Sequence, residues 1–533
     1  MSDFTIWLAS SLQRIFPATD ASETRSLQLL AGRGERVSFQ ACARNFGTTK
    51  LEARITLTGA EESGLTATVR RVGYVAVPHH NTVTDLDELD GIGRLPGLAP
   101  DPLFAEQSAV LGPLESHAFW VTLRVPVTAE PGLRELDVVF ALGDESQPPL
   151  RVSLDVRPLV VEPRRDFPVT HWFYADALCD WYKVEPFEER FWDIAKRYML
   201  DLTEHGNDSL YVPIFTPPTD GVKRPTQLLR ISEPAPTTYY FDFSDVRRWV
   251  RQARDCGARF FEWTHLFTQW GVQHAIRIYR RNSDPKSLLW PPETEATSDT
   301  YRSFLSQFLP QFRAFLMHEG ILDKSIFHVS DEPSAEHLES YRKARAMLGE
   351  LAPWMKVSDA LSHVEFGREG LTDNPIPVIS SARDYASAGI PSWTYFCCGP
   401  RGRFLNRVID TPLPKMRMAG WLFYKLGALG FLHWGYNYWY QSQTQQLIDP
   451  FTEQSGLAWP GWAYGDPFVV YPGPEGPIDS LRWEVWAESL QDYALLQSAG
   501  LSRNDALLAE LKDYDDFPKS IAWIEQARGR ILA

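Results

Sequence analysis

From Val169 to Asn437 the chain alternates short apolar runs with amphipathic stretches, and this alternation constrains its fold more than any other feature. The runs Val169–Tyr174, Ser209–Phe215, Arg259–Phe267, Lys324–Ser330, Met355–Leu361, Ile376–Ser381, Pro391–Cys398 and Ala428–Asn437 are rich in β-branched and aromatic residues, which favour strands. Between several of them lie helical patterns: Glu188–His205, Asp245–Cys256 with Ser244 as its cap, Tyr301–His318, Glu336–Leu351 and Pro414–Leu426. Eight strands in alternation over roughly 270 residues predict a (β/α)8 TIM-like barrel, whose usual size is about 250 residues. The helices after the fifth and sixth strands read as short or irregular, so the barrel is expected to be distorted.

The flanks differ in character. From Phe4 to Pro163 the pattern is all-β, with runs such as RVSFQACARNF, SHAFWVTLRVPV and PLRVSLDVRPLVV separated by Gly, Pro and charged turns. This spacing predicts a β-sandwich, and the proline-rich RPLVVEPRRDFP reads as its exit linker. The tail carries a Gly- and Pro-rich loop and then SLRWEVWAESLQDYALLQSAG, a helical stretch. The expected organisation is a sandwich over 1–163, the barrel over 164–475 and a helical segment over 476–533 packed on the barrel.

Charge and composition remove several function classes. Fifty-three Lys and Arg against 68 Asp and Glu leave a net charge of −15, which argues against nucleic acid or an anionic membrane as partner. No run approaches the ~20 apolar residues of a membrane span. The N-terminal MSDFTIWLASSLQRIF lacks a basic region and a long apolar core, which predicts no signal peptide and a cytoplasmic location. The five cysteines are scattered, without zinc-ligand spacing or a disulfide framework. No cofactor and no metal are expected, and assembly into a homo-oligomer is left open.

In a barrel the chemistry gathers at the C-terminal ends of the strands. The fourth run, KSIFHVSDEP, ends in two adjacent carboxylates, Asp331 and Glu332, before Pro333. Other strand ends supply His171, Trp172 and Tyr174; Trp263, Thr264 and His265, with Gln269 and Trp270 just after; Ser358 and Asp359; Trp393 and Tyr395; and Trp434, Tyr436 and Asn437. Flat aromatic faces beside fixed hydrogen-bonding groups suit a carbohydrate ligand. The candidate catalytic residues are Asp331 and Glu332. The candidate substrate-binding residues are His171, Tyr174, Trp263, His265, His328, Trp393, Tyr395, Trp434 and Asn437. Strict alternation would point Asp331 and Glu332 to opposite faces, so a bend at the strand end is expected if both serve one pocket. The pair is also expected to titrate as a coupled unit.

The seventh run, IPSWTYFCC, has no Asp or Glu. Many retaining glycosidases on this fold place a nucleophilic carboxylate there, about 5 Å from the acid/base. One solution without it is attack by the substrate's own 2-acetamido oxygen. At this point SDEP at a strand end, SWTYFCC, the GALGFLHWGYNYW run with its following DP, and VYPGPEGPIDSLRWE leading to QDY are all in view. Together they resemble glycoside hydrolase family 123 and its relatives of unknown function, over nearly the whole chain. The resemblance implies an exo-acting, retaining β-N-acetylgalactosaminidase that removes terminal β-linked GalNAc from glycans or glycoconjugates by substrate assistance. It further implies that Asp331 orients and stabilises the acetamido group, and that Glu332 is the general acid and then the base.

Three alternatives stand beside this reading. One is an ordinary two-carboxylate glycosidase on a sugar without an acetamido group, with Glu332 as acid and Asp359 or Glu262 as partner. Another is a carbohydrate-binding barrel that has lost catalysis. The weakest is a metal-dependent hydrolase, because His171, His265, His328 and His433 include no short-spaced ligand pair.

Overall fold

The computed structural model describes residues 3–143, 145–217 and 223–533. Its N-terminal part is built from two mainly antiparallel sheets. One orders Phe4–Ser10, Arg36–Asn45, Ser116–Arg124, Thr66–Val77 and Gly97–Phe104. The other orders Ser26–Arg33, Leu150–Val160, Gly132–Leu142, Leu51–Thr58 and Ser108–Leu111. Ile6, Phe39, Ala41 and Val121 from the first meet Ile55, Val138, Phe140 and Leu154 from the second in a closed apolar core. In the second sheet Leu150–Val160 alternates inward and outward positions, as a half-solvated strand should. Ser116–Arg124 is instead buried at every position but its last. Its second face, with Trp7, Cys42 and Trp120, belongs to the large core shared with the rest of the chain.

The following part contains a six-stranded parallel sheet. Its order is Ser325–Ile326, Phe260–Trp263, Ser209–Val212, Val169–His171, Phe431–His433 and Thr394–Tyr395. Helices Glu189–Glu204, Ser244–Asp255, Asp299–His318 and Leu338–Leu351 follow strands of this sheet, close to the predicted positions. Ser244 lies inside its helix rather than capping it. Ser298 caps the longest one by accepting from the Tyr301 N–H.

The eight expected strands are therefore met only in part. Where Met355–Leu361 and Ile376–Ser381 were expected, the chain makes single parallel bridges, Phe327 with Val357, Ala360 with Ile376 and Val378 with Tyr395. The cause is local. Pro375 and Pro377 flank Ile376 and remove two ladder donors, and the Val357 N–H is taken by the Asp373 carboxylate at 2.9 Å.

The helix Leu481–Ser498 is buried on nearly every side. It lies against Ala419–Leu426 so closely that a methyl group on Gly420 would sit 1.8 Å from the Ser489 carbonyl oxygen. Buried ion pairs tie it to the N-terminal sheets: Arg482 grips Asp101 at 2.9 Å with both side chains fully buried, and Arg70 holds Glu484 at 2.6 Å. Buried charges persist when paired and hydrogen-bonded. Arg482 meets that condition, donating also to the carbonyls of Gly465 and Phe468. No helix among the described residues is long and apolar enough to cross a membrane.

Candidate active site

At the C-terminal edge of the parallel sheet, backbone pairing runs on past the strand ends. The Phe267 N–H donates to the Val329 carbonyl at 2.9 Å and the Trp270 N–H to the Asp331 carbonyl at 3.0 Å. The Glu332 N–H reaches the Ala360 carbonyl on the other side, at 3.0 Å. At Glu332 itself φ is +44°, in the left-handed region that a non-glycine residue seldom occupies. This is the bend that the adjacent acids require. It breaks the strand alternation, so Asp331 and Glu332 both line one pocket. Strained backbone of this kind clusters at functional sites.

Aromatic residues make most of the pocket wall: Trp172, Tyr174, Trp270, Tyr395, Trp434, Tyr438 and Trp462. Gln269, Ala360, Cys397, Cys398 and Leu432 complete it. Asp331 is half-buried and Glu332 exposed to the opening. Among the described lining residues these two are the only carboxylates. The Tyr395 hydroxyl donates to Glu332 Oε1 at 2.6 Å. Burial and then the adjacent Glu332 charge push the Tyr395 phenol well above its usual value, so it stays a proton donor.

The aromatic walls are fixed from behind by buried polar groups. Glu262 Oε1 accepts from the Trp172 indole at 2.9 Å and from His328 Nε2 at 2.8 Å, and Thr170 donates to its other oxygen. Asp466 accepts from the Trp434 indole at 3.0 Å, and burial pushes its carboxyl up to about 7. Asn437 clamps the Tyr174 backbone, accepting from its N–H at 2.9 Å and donating to its carbonyl at 3.1 Å. His328 sits between Glu262 and Asp359, with its Nδ1 at 3.4 Å from Asp359 Oδ1. Burial alone would lower its pKa, but hydrogen bonds to Asp359 and Glu262 outweigh that and raise it to about 10, leaving an imidazolium at neutral pH.

Of the predicted site residues, Asp331, Glu332, Tyr174, Tyr395 and Trp434 line the pocket. The other six do not. His171 lies deeper, donating from Nδ1 to Asn207 Oδ1 at 2.6 Å and stacked on His433. His265 stacks on His328 and meets the edge of Trp172. His328 and Asn437 are the props just described. Trp263 faces outward onto Phe312 and Phe315 of the helix Asp299–His318. Trp393 precedes a strand of only two residues and packs over Gly430, outside the pocket lining.

Conversely, Trp172, Gln269 and Trp270, which the sequence places at or just after strand ends, line the pocket beyond the candidate substrate-binding set. Tyr438 was visible in the GYNYWY run. Trp462 gave no periodic signal, since it sits in a Gly- and Pro-containing loop some 30 residues past the last strand.

Among the described residues two clusters have donor atoms close enough to hold a cation, the buried His265, His328 and Asp359, and Asp201 and His205 with the partly exposed Asp479. In the first, both Asp359 oxygens already accept hydrogen bonds, from the Val329 N–H and the Tyr341 hydroxyl.

Comparison with known proteins bears on the family and the fold. A family model described as "Glycoside hydrolase 123, catalytic domain" matches residues 172–499. Among solved structures, a family 123 glycoside hydrolase from Clostridium perfringens, studied for glycolipid glycan hydrolysis, superposes with a TM-score of 0.75 at 14% identity. That match covers 99% of this chain and 97% of the other. A family 5 xyloglucanase from Bacteroides ovatus also matches, at 11% identity over 81% of this chain and 97% of its own, but its TM-score of 0.29 is too low to carry an argument. No curated protein sequence matches. The chain belongs to glycoside hydrolase family 123.

Proposed function

We propose that the protein is an exo-acting, retaining β-N-acetylgalactosaminidase working through the substrate's 2-acetamido group. The observation that carries this is the placement of two adjacent carboxylates in one aromatic pocket that has no third carboxylate among its described lining residues. In this reading Asp331 holds the acetamido N–H and steadies the charge that grows as its carbonyl oxygen attacks the anomeric carbon. Glu332 gives its proton to the glycosidic oxygen, then takes one from the water that opens the oxazolinium intermediate. Tyr395 keeps Glu332 directed at the bond being cleaved, and Trp172, Tyr174, Trp434 and Tyr438 supply faces for the sugar ring.

The two-carboxylate alternative is less well supported. Its candidate partners, Glu262 and Asp359, are fully buried, are engaged by His328 and lie outside the pocket lining. We also read the six strands and three parallel bridges as a distorted eight-membered ring, with the residues up to about 163 as a supporting sandwich.

The test is hydrolysis of 4-nitrophenyl β-N-acetylgalactosaminide, its gluco epimer and the plain β-galactoside, by wild type and Glu332→Gln. Turnover confined to the acetamido sugars, faster on the galacto epimer and largely lost in Glu332→Gln, is expected. Comparable turnover of the plain galactoside would refute the acetamido route.

A further inference from the structure

Three of the five cysteines, Cys42, Cys179 and Cys256, are buried, whereas Cys397 and Cys398 are partly exposed. Successive side chains of a strand point to opposite faces. The strand Thr394–Tyr395 has ended before these residues, and the turned chain puts both in the wall of the same pocket, with their sulfur atoms 3.7 Å apart. The turn is held in place: Asn406 Nδ2 donates to the carbonyls of Cys397, at 3.0 Å, and Pro400, at 2.8 Å, and the Cys397 N–H donates to the Gly399 carbonyl at 3.0 Å. A disulfide needs the sulfurs at about 2.05 Å, so closure asks for a further approach of roughly 1.7 Å within a fixed turn.

We propose that Cys397 and Cys398 form a redox-active dithiol in the pocket wall, which small-molecule disulfides close to a vicinal disulfide. The thiolate of one cysteine attacks a sulfur of the reagent, giving a mixed disulfide and releasing one reagent thiol. The neighbouring thiolate then attacks the protein sulfur of that mixed disulfide and expels the second reagent thiol. One S–S bond forms as another is reduced, and the two protons leave on the released thiols. The second cysteine acts as the resolving group, which stops the first from being carried further along the oxidation series. Closure also acts on the pocket. Cys397 is two residues beyond Tyr395, whose hydroxyl holds Glu332, so drawing the two sulfurs together displaces the strand end that positions the acid.

The thiol chemistry is independent of the activity proposed above; its effect on turnover rests on that activity. The intact protein is treated with oxidised glutathione, alkylated and digested. The expected product is a Cys397–Cys398 peptide that has lost two hydrogens and carries no glutathione, while Cys42, Cys179 and Cys256 remain alkylatable after unfolding. Turnover of 4-nitrophenyl β-N-acetylgalactosaminide is expected to fall on the order of tenfold or more, as for small displacements of catalytic groups, and to return with dithiothreitol. In Cys398→Ser the second displacement is impossible, so Cys397 is expected to stop as a glutathione adduct and no peptide that has lost two hydrogens forms. In the wild type, two free thiols or a stable glutathione adduct at either residue would overturn the proposal. A bridge that forms and leaves turnover unchanged would overturn its effect on the pocket. An enzyme inactive before oxidation would count against the proposed activity alone, because the peptide still decides the redox claim.

Discussion

Replacing Tyr395 by Phe removes one oxygen atom and the 2.6 Å hydrogen bond to Glu332 Oε1 while leaving the ring in place. The phenol is pushed well above its usual pKa by burial and by Glu332, so it is a donor throughout the range in which an enzyme would be assayed. A hydrogen bond to an ionised group is worth about 1.5–3 kcal/mol. Lost from the transition state, that corresponds to roughly ten- to hundredfold in rate. The ring still packs, and Glu332 is exposed enough to bind water instead, so the cost to folding is expected to stay below about 1 kcal/mol. The assay is steady-state hydrolysis of 4-nitrophenyl β-N-acetylgalactosaminide with a urea midpoint on the same samples. The expected result is a fall in kcat with KM nearly unchanged, because the bond orients the acid rather than holding the sugar. A folded Tyr395→Phe with wild-type kcat would refute the assignment of Tyr395 as the residue that positions Glu332.

Further predictions concern the frame behind the pocket. Gly420→Ala places a methyl group 1.8 Å from the Ser489 carbonyl oxygen, which is backbone and cannot rotate away; a loss of about 3 kcal/mol or more is expected in urea unfolding, and an unchanged midpoint would contradict this packing. Asp101→Asn leaves Arg482 charged and fully buried without its counter-ion; destabilisation of about 3–5 kcal/mol is expected, read in the same way, and a loss below 1 kcal/mol (about) would show the pair to be dispensable. His328 and His205 are both raised from 6.5 to about 10 by buried carboxylates that outweigh their own desolvation. Each therefore contributes stability that is complete below pH 6.5 and is lost as pH rises towards 10. Urea midpoints are expected to fall between pH 7 and 9.5 (roughly), and a flat or rising midpoint would mean that these imidazoles are neutral in the fold.

How far the sequence carried depended on where each residue sat relative to the strand ends. The acid pair was legible because a proline directly after two carboxylates marks the end of an extended run, and the φ of +44° at Glu332 supplies the bend that alternation demanded. Residues one step below the rim are not separable by sequence from those on it. His171, His265 and His328 are polar and lie near strand ends, yet they belong to the layer under the pocket, where they brace its walls. Trp263 follows the inward-facing Glu262, so it points the other way, onto a helix. The fifth and sixth runs have an apolar composition that suits a strand, but Pro375, Pro377 and the Asp373 side chain interrupt the ladder. Trp462 lies in a loop placed by tertiary contacts, such as the Tyr464 N–H to Asn81 bond, and those have no local signature.

In the proposed mechanism the acetamido oxygen, and not a protein carboxylate, attacks the anomeric carbon. The most direct measurement of this is kcat/KM for 4-nitrophenyl β-galactosaminides whose N-acyl group carries successive fluorine atoms, from acetyl to trifluoroacetyl. Fluorine withdraws electrons from the carbonyl oxygen while leaving the leaving group and the acid unchanged. A steep fall in kcat/KM with each fluorine is expected. A rate independent of fluorine content would contradict it and place the nucleophile on the protein.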